Sequence, residues 1–132
     1  MFTIKYGDIN KQGFTMFLNK LQHFPGFKGK TARRVGKLCL NLNATFETAI
    51  SETKVEAERL GGKIEKGDWA FTDSENATVY ADYFSTYMAN KVEINCSELD
   101  FNEDIKPYED GLKLTPLDYD TLEPFIINLP ED

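Results

Sequence analysis

A cluster of basic side chains is the part of this sequence best suited to binding chemistry. Seven Lys and Arg residues, and no Asp or Glu, lie between Asp8 and Glu47. Ammonium and guanidinium groups donate strong hydrogen bonds to carboxylates and phosphates. The candidate site for a partner or an anion therefore consists of five cations that fall within ten residues: Lys28, Lys30, Arg33, Arg34 and Lys37.

These cations stand where a helix disfavours them. On a helical wheel an arc of about 100°, roughly 140° from the apolar stripe of the same helix, contains four of them: Lys30, Arg33, Arg34 and Lys37. The amino end of a helix carries about half a positive charge, which disfavours each cation by a few tenths to about 1 kcal/mol. A negative group is therefore expected nearby. Three sources stay open: the chain's own acidic stretch from Glu98 to Asp110, an acidic protein partner, or nucleic acid.

Charge is divided unevenly along the chain. The protein carries a formal net charge of −7, yet residues 1–66 contain 12 Lys and Arg against 6 Asp and Glu, whereas residues 67–132 contain 3 against 16. An acidic protein repels a polyanion at long range unless its acidic surface faces away, and the basic stretch lacks a nucleic-acid reading motif. These features favour a protein partner over nucleic acid.

The other chemical motifs are incomplete. Gly29-Lys30-Thr31 before a helix matches the end of a phosphate-binding loop, but Phe24 stands where that motif needs its first glycine. His23 has no second histidine or cysteine pair at metal spacing, and Asp118 and Asp120 lie at a predicted helix start, where acids are favoured without a metal. The sequence therefore predicts no catalytic residue, no cofactor and no metal. We expect that the protein is not an enzyme.

Composition predicts a single domain over residues 1–132. With 41% apolar residues, a chain of 132 residues can build a core. No stretch approaches the roughly 18 to 20 apolar residues of a membrane span, and the first twelve residues lack the apolar run of a secretory leader. We expect a soluble protein that is not associated with a membrane. Cys39 and Cys96 are expected to be free thiols in a reducing compartment.

The basic cluster opens the longest predicted element. Apolar residues recur at helical spacing from Val35 to Leu60, and the pattern ends at Gly61-Gly62. This predicts a helix of about 30 residues over 31–60. A shorter amphipathic helix is predicted from Gln12 to about Phe24. The cations therefore belong to the first turns of the long helix.

Two short stretches alternate between apolar and polar residues, as half-buried strands do. They cover residues 1–6 and 91–96, and we expect that they can pair with each other. Between them, residues 64–71 contain Lys66-Gly67-Asp68 and are interpreted as a loop or a tight hairpin.

A second helix is predicted over residues 74–90. Thr72-Asp73-Ser74-Glu75 fits a capping box with Thr72 as the N-cap residue. Apolar and aromatic residues between Ala77 and Met88 cover an arc of up to about 200°. We therefore expect neighbours on more than one side of this helix, with most of its tyrosines in the core.

The last third of the chain is predicted to be an acidic connection followed by a short helix. The connection covers residues 97–113, and four apolar residues anchor it: Leu99, Phe101, Ile105 and Leu112. Thr115-Pro116 has the order of an N-cap followed by proline at the first helical position. A short helix is expected over 115–128, which Pro124 should kink or divide.

These elements predict an α+β fold, mainly α, in which the long helix packs on the second helix beside a small antiparallel sheet. Their order resembles that of small uncharacterised proteins of tailed bacteriophages. Four short motifs spread over most of the chain carry the resemblance: Lys30-Thr31-Ala32-Arg33, Val92-Glu93-Ile94, Thr115-Pro116-Leu117 and Leu122-Glu123-Pro124-Phe125-Ile126. The resemblance implies a viral origin, no catalytic residues, and a location in the host cytoplasm or the virion.

We therefore expect a non-enzymatic phage accessory or virion-associated protein that binds another viral or host protein, through the basic cluster or through the acidic half. One alternative is a nucleic-acid-binding protein that uses the basic helix face. The other is an acidic inhibitor of a host enzyme that mimics DNA. Each of these functions is compatible with a homo-oligomer.

Overall fold

A helix of 31 residues, Gly29–Arg59, is the longest element of the fold. The computed structural model describes residues 1–130, and its elements follow in this order: β1 (Phe2–Lys5), α1 (Tyr6–Ile9), α2 (Phe14–His23), α3 (Gly29–Arg59), β2 (Lys63–Glu65), β3 (Asp68–Ala70), α4 (Ser74–Ala89), β4 (Lys91–Ile94), β5 (Leu99–Asp100), a π-helical turn (Phe101–Ile105), a 3-10 turn (Lys106–Tyr108), α5 (Glu109–Leu112), α6 (Pro116–Leu122), a second 3-10 turn (Glu123–Phe125) and β6 (Ile126–Ile127). The three helices α1, α2 and α4 all pack on α3. The predicted fold class, α+β and mainly α, is confirmed.

The long helix ends where its sequence predicts. Gly61 has φ +82°, a left-handed conformation that glycine adopts without strain. Its N–H donates to the carbonyl of Glu58 at 3.0 Å, and the N–H of Gly62 donates to the carbonyl of Ala57 at 2.8 Å. Helix termini are commonly closed by such reverse hydrogen bonds, so the two glycines stop α3.

The two alternating stretches form an antiparallel pair, as predicted. In this pair Phe2 lies opposite Ile94 and Ile4 lies opposite Val92. Ile4 and Ile94 are both buried, which gives the pair one face in the core. β4 stops at Ile94 instead of continuing to residue 96, and the residues that follow it turn towards α3.

The stretch around the only tryptophan is a hairpin, one of the two predicted outcomes. β2 and β3 pair antiparallel, with Ile64 opposite Trp69. The two turn residues, Lys66 and Gly67, both have positive φ, at 52° and 85°. Two-residue hairpin loops favour this conformation because its twist matches that of the strands.

The core lies at one end of the molecule. It joins the amino-terminal half of α3 to α2, α6, the short strands and the π-helical turn, and its fully buried side chains include Phe14, Phe17, Leu38, Leu42, Leu99, Ile105, Leu122 and Phe125. Residues 49–89 extend from this end, and we call them the arm. Among the described residues, the arm buries four side chains: Ala49, Thr53, Ala57 and Tyr87.

α4 packs on two neighbours, α1 and α3, as its wide apolar arc predicts, but it is buried less completely than expected. Tyr87 is the one buried residue of this helix, Val79 is 47% exposed, and Ile50 of the facing helix is 51% exposed. Tyr80, Tyr83 and Phe84 are half-buried against α3, not enclosed in the core. The N-cap prediction is wrong by one residue, because Asp73, not Thr72, accepts the N–H of Glu75 at 2.8 Å.

The acidic connection over residues 97–113 is more regular than predicted. It forms β5, the π-helical turn, a 3-10 turn and α5, and its four predicted anchors are all buried. The helix predicted over 115–128 is capped by Thr115 with proline at its first turn, as expected, but it ends at Leu122. Pro124 lies in the second 3-10 turn, and Ile126–Ile127 then pairs in parallel with Leu99–Asp100.

The helices of residues 1–130 include none whose length and hydropathy would allow it to cross a bilayer.

Candidate functional site

The predicted basic cluster forms one wall of an open cleft. The cleft has a volume of about 330 Å³, at the lower end of the range for small-molecule sites. The first turns of α3 contribute four lining residues, Lys30, Arg33, Arg34 and Lys37. The opposite wall is the segment 95–97 that follows β4, with Asn95, Cys96 and Ser97. We call these seven residues and the space between them the basic cleft.

Arg34 is the member of the basic cleft that the protein neutralises itself. One of its terminal nitrogens donates to Glu103 at 2.9 Å and lies 3.3 Å from a carboxylate oxygen of Asp104. The hydrogen bond to Glu103 raises the pKa of Arg34; burial lowers it less strongly, and the negative charges of both acids reinforce the rise. The guanidinium therefore stays charged and directed at the π-helical turn.

Asp104 connects the π-helical turn to the start of α3. Its side chain is fully buried and accepts the Thr31 hydroxyl at 2.9 Å and the backbone N–H of Asp100 at 2.8 Å, in addition to Arg34. A buried carboxylate is tolerated only when its oxygens have such partners. The Thr31 hydroxyl, the last position of the incomplete Gly29-Lys30-Thr31 motif, is thus directed at Asp104.

Three cations of the basic cleft have no such partner. Lys30, Arg33 and Lys37 are exposed, and none of them forms an ion pair with any residue between 1 and 130. The acidic stretch therefore neutralises one cation of the basic helix end, Arg34, and forms no ion pair with the other three within residues 1–130. Lys28 is exposed at the N-cap position of α3 and does not line the cleft.

The segment opposite the basic helix face was not predicted as part of the site. Asn95 and Ser97 are exposed, and they add an amide and a hydroxyl that can donate hydrogen bonds to an anion. Nothing in their sequence spacing places them beside α3. Their position follows from the pairing of β1 with β4 and from the burial of Ile94, which are tertiary features.

Cys96 lies in the basic cleft as a thiol and not as a nucleophile. Burial raises its pKa more than the nearby amino terminus and Lys37 lower it. Burial also raises the pKa of Cys39, to about 11, so both cysteines are protonated at neutral pH. Thiolates, not thiols, carry cysteine reactivity. Both are free, as predicted.

Much of the acidic half is used inside the fold. Asp118 accepts a hydrogen bond from Lys20 at 2.6 Å and caps the start of α6 with Thr115, which confirms the capping interpretation of this residue. Glu109 accepts the Tyr119 hydroxyl at 2.7 Å, and Asp100 accepts the N–H of Asn102 at 3.0 Å. These carboxylates fix local structure and are not presented to a partner.

The remaining candidate residues of the described chain do not form a metal site. His23 is exposed, and its ring Nδ1 lies 2.9 Å from the carbonyl oxygen of Asn19. Within residues 1–130, no group of three His, Cys, Asp or Glu side chains is placed to hold a metal ion. The basic cleft is therefore the site from which we infer function.

The chain was compared with protein-family models, with curated proteins and with solved structures, and no match was found in any of the three.

Proposed function

We propose that this protein is a non-enzymatic binding protein that holds a negatively charged group of a partner protein in its basic cleft. The observation that carries the proposal is the difference between Arg34 and its neighbours. Arg34 is paired within the chain, whereas Lys30, Arg33 and Lys37 are exposed around an open cleft without an ion pair in the described part of the chain. Cations at a helix start are disfavoured unless an anion is near, so a negatively charged group of a partner would complete this site.

The charge distribution supports a protein partner over nucleic acid. Glu103 binds Arg34 at the edge of the basic cleft, and Glu98 directly follows the lining residue Ser97. Glu103 therefore places a carboxylate beside the positive surface, and the net charge of −7 opposes the approach of a polyanion.

The viral assignment belongs to the same proposal. The resemblance of four short motifs to small proteins of tailed bacteriophages supports an accessory or virion-associated role, in the host cytoplasm or in the particle. The partner would then be another viral protein or a host protein.

Affinity capture from infected cells tests this function. Three tagged baits are compared: the native protein, the cleft variant Arg33→Glu/Lys37→Glu, and the control Lys54→Glu/Lys63→Glu. The control changes the same number of charges at exposed positions of the arm. We expect the native and control baits to retain one partner, identified by mass spectrometry and rebuilt from purified components, and the cleft variant to lose it.

Equal retention by all three baits would contradict the proposal. Recovery of nucleic acid alone, lost with the cleft variant and steeply weakened by salt, would instead support the nucleic-acid alternative.

A further inference from the structure

We infer that the group held in the basic cleft is a phosphoryl group carried by the partner, not a carboxylate. This inference rests on the proposed function, because it names the chemistry of the group that the partner supplies. The four observations that lead to it are the number of uncompensated charges, the placement of hydrogen-bond donors, the size of the cleft and the short extent of the basic surface.

The charge of the basic cleft exceeds what one carboxylate neutralises. Lys30, Arg33 and Lys37 bring three positive charges that no side chain of residues 1–130 pairs with. A carboxylate carries a single negative charge, whereas a phosphomonoester carries about −1.5 to −2 at pH 7 and presents three acceptor oxygens. The larger charge matches this site better.

Hydrogen-bond donors face the basic cleft from two sides. The cations come from α3, and the amide of Asn95 and the hydroxyl of Ser97 come from the opposite wall. A planar carboxylate directs its two oxygens to one side, but the oxygens of a tetrahedral phosphoryl group point in several directions. Donors on both walls can therefore bind different oxygens of the same group.

The basic cleft is suited to one such group and not to a nucleic-acid strand. Its volume of about 330 Å³ is that of a small pocket. Along α3, Leu40, Ala44 and Glu47 follow Lys37 on the exposed side, and the next cation is Lys54. Lys54 lies 17 positions after Lys37, about 25 Å farther along the helix axis. A strand needs a continuous basic track, and α3 offers none between Lys37 and Lys54.

Titration followed by amide NMR shifts tests the inference with two matched probes. The first is N-acetyl-phosphoserine amide and the second is N-acetyl-glutamate amide, which present a phosphoryl group and a carboxylate on the same type of backbone. We expect the phosphoserine probe to shift the amides of residues 30–37 and 95–97 and to bind at least tenfold more tightly than the glutamate probe. Pentathymidylate is the nucleic-acid probe. Several equivalent phosphates raise the apparent affinity in proportion to their number, and we expect no affinity beyond that statistical factor.

Variants link the binding to the named side chains. Arg33→Gln/Lys37→Gln should weaken the phosphoserine probe at least tenfold, while Lys54→Gln/Lys63→Gln should leave its affinity within twofold. Unchanged amide spectra of the core end in both variants show that they fold. A second readout uses the captured partner: phosphatase treatment of the lysate should abolish its retention by the native bait.

Each other outcome overturns the inference. Any one of three results would show that the ligand is not a phosphoryl group: equal affinity for both amino acid probes, no shift at millimolar concentrations of the phosphoserine probe, or partner capture that survives phosphatase treatment. If capture still depended on Arg33 and Lys37, the proposed function would stand without it. Preferential binding of pentathymidylate would overturn both.

Discussion

At the scale of single residues, Asp118 is an acid that the fold keeps ionised. Burial raises its pKa, but the hydrogen bonds from Lys20 and Thr115 outweigh that effect and lower the pKa below its ordinary value of 3.8. Lys20 belongs to α2 and Thr115 begins α6, so the charged form of one side chain joins two elements. The Thr115-Pro116 motif predicts that Asp118 is an acid at a helix start. The sequence does not predict its ion pair with Lys20, which lies 98 residues away.

We predict that the stabilisation supplied by Asp118 disappears in acid. Because its native pKa is lower than that of the unfolded chain, the unfolded state binds the proton more readily. The stabilisation is complete above the ordinary value of 3.8 and is lost as the pH falls through the lowered native value. Urea unfolding of the native protein and of Asp118→Asn should give a difference in unfolding free energy that is constant above about pH 5 and narrows below about pH 4. A difference independent of pH would contradict this assignment.

At the scale of elements, the start of α3 is held by the π-helical turn and not by its own N-cap residue. Lys28 makes no side-chain cap, while Thr31 and Arg34 both bind Asp104. Apolar spacing correctly predicted the buried anchors of this turn, because large apolar residues are buried wherever the backbone allows. It could not single out Asp104 among the neighbouring acids, since the choice depends on the π-helical geometry.

We predict that Asp104→Asn lowers the free energy of unfolding by about 2 to 4 kcal/mol, because the Arg34 guanidinium, the Thr31 hydroxyl and the Asp100 N–H lose a buried charged acceptor. The matched control is Glu103→Gln, which also removes a carboxylate from Arg34 but at a position that is 59% exposed. Its loss should be much smaller, since exposed ion pairs contribute little. Chemical denaturation of both variants measures the difference, and equal losses would exclude Asp104 as the main anchor.

At the scale of the whole molecule, buried side chains are concentrated at one end. The core cluster spans α2, the first half of α3 and the carboxy-terminal elements, whereas the arm buries Ala49, Thr53, Ala57 and Tyr87. The wide apolar arc of α4 suggested more complete burial than α1 and α3 provide. A helical pattern reports which faces tolerate burial, and it carries no information on how many elements are available to cover them.

We predict that the arm opens more readily than the core end. Segments with few buried apolar contacts unfold locally at a lower free energy than the global value. Amides of α4 should exchange with solvent at least tenfold faster than those of α2 and of residues 35–42 in α3. Hydrogen exchange followed by NMR or mass spectrometry measures this, and uniform protection along the chain would show that the two ends unfold together.

The continuity of α3 also sets a distance. The first turns of this unbroken helix line the basic cleft, and the β2–β3 hairpin follows its last turn. At 1.5 Å per residue, about 40 Å separates Arg33 from Arg59 along the helix axis. α3, which lies wholly within the described residues, contains no proline, and its last glycine is Gly36. The helix thus acts as a spacer of fixed length: whatever is bound in the cleft is held about 40 Å from the tip of the molecule, at an orientation that α3 itself determines.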